Sequence, residues 1–539
     1  MGSPEVTVDG PQGTVLAAFA AHRRTDPEAV AVQYYGRSIS RAELDELSDA
    51  LADWLAESGV SRGDRVAVSL QNTPMFAVAL LATWKLGAVF VPVNPMLRTA
   101  ELTALLADCE PRVLLAHPDM AEVVVVAAKD VAHPPTLLWS SPSDLAGDLA
   151  GPWSAEPETL PAEGTTVLVQ LDRHRGRPPR THLPAPEDLA LLVYTSGTTG
   201  PSKGAMLTHA NIGYHAVVTP AWLGLDGADS VLTIAPFFHI TGLGMHLALG
   251  LGNGMSLVMT CRFEPRQILE LVQHYRPRFT VGTITAYIAL AEHATSEQVR
   301  EALSGMSSAI SGGAAVPAAV VDRYEHDLGV YIRNGYGLTE TASACVIVPP
   351  GQRAPVDEVS GATSIGQPLP WVSVSVVADD GSEALAGTVG EIVLRGPQVG
   401  TGYWRRPDET VNAFQPDGLH TGDIGMVDGD GWIYLVDRKK DLIVSSGYKV
   451  WPRDVEDILY RHPAVAEAAV IGVPDDYRGE SVQAFVTVRP GHAVTADELN
   501  RHCRELLSAY KCPRHYEVVP DLPKSASGKI LRRLLRSGE

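Results

Sequence analysis

Residues Leu191–His209 read LLVYTSGTTGPSKGAMLTH. An apolar strand runs into Thr195, Ser196, Gly197, Thr198, Thr199 and Gly200, and Lys203 follows shortly after. Hydroxyls and glycines let the backbone approach an anion with N–H and O–H donors turned inward, and Lys203 adds a positive charge. The spacing is not that of a Walker A loop, where Ser or Thr follows the lysine; here Gly204 follows Lys203. A flexible polar turn after a strand is the plainer reading of the same composition.

Toward the N-terminus, VAVSLQN (66–72), an Ala- and Leu-rich helix, the stop at Gly87 and AVFVPV (88–93) form strand, helix and strand with short connections. That is a βαβ unit, and it predicts a parallel sheet covered on both faces. Val30–Tyr35 and Arg37–Ser40 flank Gly36 and predict a short hairpin. Ser40 and Glu43 have capping-box spacing, and Leu44, Leu47, Leu51 and Leu55 then recur at helical intervals until Gly59. Residues 138–187 are the most loop-like stretch. Helix–strand alternation resumes from about Ala210 to Val348. GQPLPWVSVSVV (366–377) and VGEIVLRGP (389–397) read as β-rich hairpins. After Asp437 the alternation returns in a piece of about 100 residues, a common size for a small domain.

The 539 residues are too many for one simple domain. A net charge of −20 argues against non-specific nucleic-acid binding. The excess acid lies before residue 441, and 501–539 is locally basic. This basic stretch is either a solvated helix face or a segment that helps receive an anionic partner. Cys109, Cys261, Cys345, Cys503 and Cys512 are scattered, as buried thiols in a reducing cytoplasm would be, rather than grouped for zinc or disulfides. No leader pattern opens the chain, and Lys85, Gly87 and Pro92 interrupt its most apolar stretch, so no membrane span is expected. The expectation is a soluble cytoplasmic protein.

The Thr195–Lys203 segment resembles the phosphate loop of the adenylate-forming superfamily of acyl- and aryl-CoA synthetases, peptide-synthetase adenylation domains and beetle luciferases. Other motifs follow in that family's order. SGGAAVP (311–317) resembles the adenine-side loop, NGYGLTETA (334–342) the aromatic and Mg²⁺ motif, and HTGDIG (420–425) the ribose motif. DRKKDLIVSSGYKVWPRDVE (437–456) resembles the hinge and thiol-tunnel segment, and PKSASGKILRR (523–533) the catalytic-lysine loop. The resemblance implies an α/β fold: a large N-terminal domain of layered sheets and helices with a β-rich subdomain (1–437), a hinge (438–440), and a small mobile α+β domain (441–539).

It also implies roles. Glu340 would bind Mg²⁺, with Thr339 beside it for the α-phosphate. Gly313, Ala314, Asn334, Gly335, Tyr336 and Gly337 would line the adenine side, with Tyr336 stacking on the base. Asp423 and Arg438 would hold the ribose. Lys529 would bridge the attacking carboxylate and the α-phosphate, as a cation where negative charge gathers. Lys440 would be the hinge and Gly447 would open a tunnel for a pantetheine thiol. Taken singly, these residues also fit plainer roles: a solvated carboxylate, a core aromatic, a turn aspartate, a salt-bridged arginine, a helix-start lysine.

APFFHITGLG (235–244) matches the acyl-pocket segment. Phe238, His239, Ile284, Thr285 and Gly337 would line the pocket, although a core histidine is nearly as good a reading of His239. Amino-acid-activating relatives place an aspartate in that segment, and a buried ammonium without one is costly. A fatty or aryl acid is therefore favoured. The expected reactants are ATP with Mg²⁺, a small carboxylic acid, and the thiol of CoA or of the phosphopantetheine on an acyl carrier protein. A luciferase-like oxygenase and a non-catalytic nucleotide-binding relative are the other classes.

Overall fold

In the computed structural model every residue of the helix Pro74–Lys85 is buried. A helix apolar on all sides belongs in a protein interior. The Phe76 ring reaches Phe90 (5.2 Å) on one side and Phe237 (5.5 Å) on the other, so this helix joins two large sheets into one core. Lys85 at its end is buried too, with its ammonium donating to Asp49 (2.6 Å), Asp45 (2.7 Å) and Ser48 (2.7 Å). The structure describes residues 13–536 except 150, 153–160, 178–181, 196–201, 295–296, 314–315, 317, 358–361, 379, 439–440, 446–447, 476–477 and 526–527.

The βαβ expectation holds. Arg65–Ser69 and Val89–Pro92 are parallel neighbours in an eight-stranded sheet, with Val113–Ala116 and Leu189–Tyr194 parallel to them. Val89–Pro92 and Val113–Ala116 are buried at every position, as strands covered on both faces must be. A nine-stranded sheet holds the second alternation. Ser230–Leu232, Phe279–Gly282, Ser308–Gly312 and Ile332–Leu338 run parallel within it. The predicted hairpin Val30–Tyr34/Arg37–Ser40 joins its other side. Tyr35 (φ 44°) and Gly36 (φ 85°) supply the positive φ angles of a tight twisted turn.

Ser373–Val377, Gly390–Arg395, Gly418–Val427 and Ile433–Arg438 belong to a five-stranded antiparallel sheet, the β-rich part. A second five-stranded sheet, containing Val465–Asp475 and Gly479–Val488, forms the smaller C-terminal domain with helices Pro452–Arg461 and Ala496–Leu506. Among the described residues no helix is long and apolar enough to cross a membrane. All five cysteines are buried free thiols.

Three local expectations need correction. The capping box at Ser40 is half formed: Ser40 accepts from the Glu43 N–H, while the Glu43 carboxylate pairs with Arg37. The loop-like stretch contains a helix, Val167–His174. It is capped by Thr166 and fixed by His174 Nδ1 against Asp53 (2.8 Å), a carboxylate that Arg177 also reaches (3.0 Å). Gln367–Pro368 pairs with the nine-stranded sheet rather than within a hairpin of its own. Of the two readings of the basic stretch near the C-terminus, the structure shows pairings with carboxylates elsewhere: Arg532 with Glu456 (2.6 Å), Arg536 with Asp441 (3.0 Å), Lys524 with Glu467 (2.8 Å) and Lys511 with Asp454 (2.5 Å). That favours a structural role for these cations over a docking patch.

Candidate active site

The candidate residues gather where parallel strands end. Thr195 follows Leu189–Tyr194, Thr283 follows Phe279–Gly282, Gly313 follows Ser308–Gly312, and Thr339 follows Ile332–Leu338. In open α/β sheets the carboxyl ends of the strands are where ligands bind, because loops there leave the sheet together.

On the nucleotide side, the phosphate loop is closed at its base by Thr195 N–H donating to the Lys203 carbonyl (2.9 Å). Ser196, Gly197, Thr198, Thr199 and Gly200 lie outside the described residues. Glu340 is the middle residue of a tight turn, Thr339–Thr341. Behind it Ala342 (φ 53°) and Ser343 (φ 126°) take backbone angles that side chains disfavour. At Gly337 an added Cβ would lie 1.9 Å from the Ser343 carbonyl oxygen, so only glycine fits. Gly335 is packed against Ile310, where a Cβ would come within 2.8 Å.

Each candidate carboxylate is held by a tyrosine. Tyr403 donates its hydroxyl to Glu340 Oε1 at 2.6 Å. Tyr336 donates to Asp423 Oδ2 at 2.7 Å, and both residues are buried. Burial and the Asp423 charge push the Tyr336 phenol far above its ordinary range, so it remains a donor. Arg438 is paired with Asp423 in backbone register, which brings the two ribose candidates to adjacent strands. Asn334 turns its amide inward, donating to the Ser364 carbonyl (2.9 Å), which makes it a brace for the motif.

Lys529 reaches this region from the C-terminal domain. A Cβ on Gly313 would lie 2.5 Å from Lys529 Cε and 3.2 Å from Nζ, so the glycine leaves the space the lysine stem occupies. Gly313 has φ 85°, which favours glycine independently. The lysine loop is seated on Thr285, whose hydroxyl donates to the Gly528 carbonyl (3.3 Å) and lies 2.8 Å from the Thr283 hydroxyl. His239 is close enough for the Lys529 charge to act on it. Burial first, then that charge, holds its pKa down at about 3. Its Nδ1 accepts from the Thr241 N–H (3.2 Å), so the neutral ring carries its proton on Nε2.

Phe238, next to His239, lines a crevice of about 520 Å³ together with Gln71, Asn72, Met96, His117 and Phe263. Asn72 fixes the approach to this segment with all of its amide: it donates to the carbonyls of Thr233 (2.9 Å) and Ala235 (3.0 Å) and accepts from Phe237 N–H (2.7 Å). Ile284 joins the apolar cluster of Leu232, Ile234 and Tyr287, while its neighbour Thr285 meets the lysine loop. Ala314, Lys440 and Gly447 lie outside the described residues.

Glu340 fits a hard divalent cation. It is a half-buried carboxylate with one oxygen anchored by Tyr403, which pairs with the strand Gly204–Thr208, and Mg²⁺ prefers such oxygen ligands with phosphates completing its shell.

Residues 19–404 match the AMP-binding enzyme family, and 454–529 match the AMP-binding enzyme C-terminal domain. A long-chain-fatty-acid–CoA ligase of Bacillus subtilis (strain 168) is 34% identical over 543 residues, covering 98% of this chain and 95% of that protein. A feruloyl-CoA synthase of an Amycolatopsis species is 37% identical over 514 residues, covering 95% and 96%. The crystal structure of ATP-bound MatB from Rhodopseudomonas palustris superposes with a TM-score of 0.85 at 29% identity, covering 98% of this chain and 99% of that one. With both family domains matched in order along one chain, this protein belongs to the AMP-binding enzyme family, as an α/β enzyme with a large N-terminal and a small C-terminal domain.

Proposed function

We propose that this chain joins a carboxylic acid to CoA in two half-reactions, with acyl-AMP between them. The observation that carries the reading is the seat of Lys529: its stem packs on Gly313, at strand ends that also present Glu340 and the phosphate loop.

In the first half-reaction a carboxylate oxygen attacks the α-phosphorus of ATP, the bond to the β-phosphate breaks, and pyrophosphate leaves. Lys529 supplies positive charge where the new bond forms, and Lys203 supplies it along the phosphates. Asp423, held by Tyr336, accepts from the ribose hydroxyls. Glu340 would hold Mg²⁺, which supplies charge neutralisation on the phosphate oxygens. His239 remains neutral at physiological pH and acts by shape and by its Nε2 proton rather than as a cation.

In the second half-reaction the CoA thiol attacks the acyl carbonyl, the thioester forms, and AMP leaves with the electrons of the broken C–O bond. We assign the exchange between them to rotation of 441–539 about Lys440, which withdraws Lys529 and brings Gly447 to the thiol path. The acid is a fatty or aryl acid. The segment 235–244 has no carboxylate for a substrate ammonium, and relatives named for long-chain fatty acids and for ferulate represent both classes.

Pyrophosphate release should be measured over a panel of fatty, aryl and amino acids, and thioester formation with CoA and with a pantetheine-loaded carrier protein. Release with fatty or aryl acids and thioester on CoA is expected. No release with any acid would refute the activity, and thioester on the carrier alone would replace CoA as acceptor.

A further inference from the structure

We propose that Tyr403 is a positioning residue that sets the metal affinity of the site by anchoring one oxygen of Glu340 and couples it to the phosphate-loop lysine. The proposal rests on Glu340 as the Mg²⁺ ligand in the function above. Tyr403 lies outside every motif recognised in the sequence, yet the fold carries it to the centre of the phosphate side. The short strand Gly402–Tyr403 pairs antiparallel with Gly204–Thr208, the strand leaving the phosphate loop, with Tyr403 opposite Ala205. Two further backbone bonds lock the pairing: Trp404 N–H to the Gly204 carbonyl (2.8 Å) and Thr401 N–H to the Met206 carbonyl (3.0 Å). A third, from Gly400 N–H to the Glu340 carbonyl (2.7 Å), ties the same segment to the metal-candidate turn.

From that position one side chain serves two charges. The hydroxyl donates to Glu340 Oε1 at 2.6 Å, a short charge-assisted bond. The ring face lies 5.2 Å from Lys203 Nζ, within the range of cation–π attraction. The ring is itself held edge-on against Phe414 (5.5 Å), and the backbone N–H is held by Thr410 Oγ1 (2.9 Å). With Oε1 engaged, the carboxylate cannot rotate freely and Oε2 is the oxygen presented to a cation. Glu340 thus meets the metal already ordered, instead of being ordered at the moment of binding.

Tyr403→Phe tests this, because it keeps the ring on Phe414 and over Lys203 and deletes only the hydroxyl. Calorimetry with α,β-methylene-ATP at graded free Mg²⁺ should show the variant needing about tenfold more Mg²⁺ for half-maximal binding, the effect expected of one hydrogen bond to a charged group. AMP binding without metal should be unchanged. In a Glu340→Gln background, Tyr403→Phe should add nothing to the Mg²⁺ requirement, since the two act as one unit. An unaltered Mg²⁺ requirement overturns the proposal. So does an equal loss of metal-free AMP binding, which would make Tyr403 a prop for the whole site. Failure of the wild-type protein to release pyrophosphate from any acid would undo the proposed function, whereas this binding experiment isolates Tyr403.

Discussion

The two sides of the site are built differently. On the nucleotide side, Glu340 and Asp423 are each gripped by a tyrosine hydroxyl, at 2.6 and 2.7 Å, from strands of the large domain. On the lysine side, the Gly528 carbonyl receives a longer bond of 3.3 Å from Thr285, and the Lys529 stem packs over Gly313. The lysine loop also carries bonds of its own: Ser525 N–H to the Lys529 carbonyl (2.7 Å), Gly528 N–H to the Ser525 carbonyl (2.8 Å) and Leu531 N–H to the Pro523 carbonyl (2.8 Å). Carboxylates gripped within one domain and a lysine loop with bonds of its own would suit the proposed reaction, in which the nucleotide stays and the lysine leaves.

The sharpest way to break this contrast is Lys529→Ala. Pyrophosphate release should fall about 10²–10³-fold, the effect of losing one preorganised charge at the reacting centre. Thioester formation from supplied acyl-AMP should persist. Equal losses in both half-reactions would show that the loop is part of the cradle after all. Tyr336→Phe probes the other side. Losing the hydroxyl removes one donor from buried Asp423, and affinity for ATP and for AMP should both drop about tenfold. An effect on one nucleotide alone would separate Asp423 from the ribose.

Smaller effects grade the docking of the loop. Gly528 has φ 81°, and a Cβ there would meet Thr283 Oγ1 at 2.8 Å. Gly528→Ala should slow pyrophosphate release about fivefold through strain and crowding. Single-turnover thioester formation from acyl-AMP should be spared. If both slow alike, the loop meets Thr283 in both half-reactions.

The division between rigid and removable parts was only half legible in the sequence. The strand Leu189–Tyr194, the βαβ unit at 66–93 and the leucines of the helix Arg41–Glu57 announce themselves because periodicity is a local property. Thr195, Lys203, Glu340, Asp423 and Lys529 could be named because they stand in contiguous motifs. Their partners could not. Tyr403 reaches Glu340 across 63 positions, Asp423 receives Tyr336 across 87, and Asn72 holds Phe237 across 165. Such bonds depend on strand pairing, for which a single sequence has no local sign. Charge leaves two readings open for the same reason: the role of the basic run near the C-terminus turns on pairings such as Arg532 with Glu456, 76 residues away.

The smallest expected change in activity lies at the boundary between the two parts. Arg453, on the C-terminal helix Pro452–Arg461, is buried and donates to the carbonyls of Leu435 (2.7 Å) and Thr363 (3.4 Å) in the large domain. These bonds hold the lysine-docked arrangement and must break if 441–539 rotates. Arg453→Met keeps the aliphatic stem and should cost about threefold in pyrophosphate release, one modest hydrogen bond's worth. Thioester formation from acyl-AMP should hold or rise. Asp457 supplies an independent check. Its carboxylate lies 3.8 Å from Arg453 Nε, and burial pushes its pKa up to about 6 against the lowering pull of that arginine. Without Arg453 the folded-state pKa rises further above its unfolded value, so the charged form becomes costly above it and the cost fades as pH falls through it. The variant's melting temperature should therefore lag the wild type more at pH 8 than at pH 5. A deficit that does not vary with pH would mean that Asp457 never feels this arginine, and that Arg453 holds the boundary through its two carbonyl bonds alone.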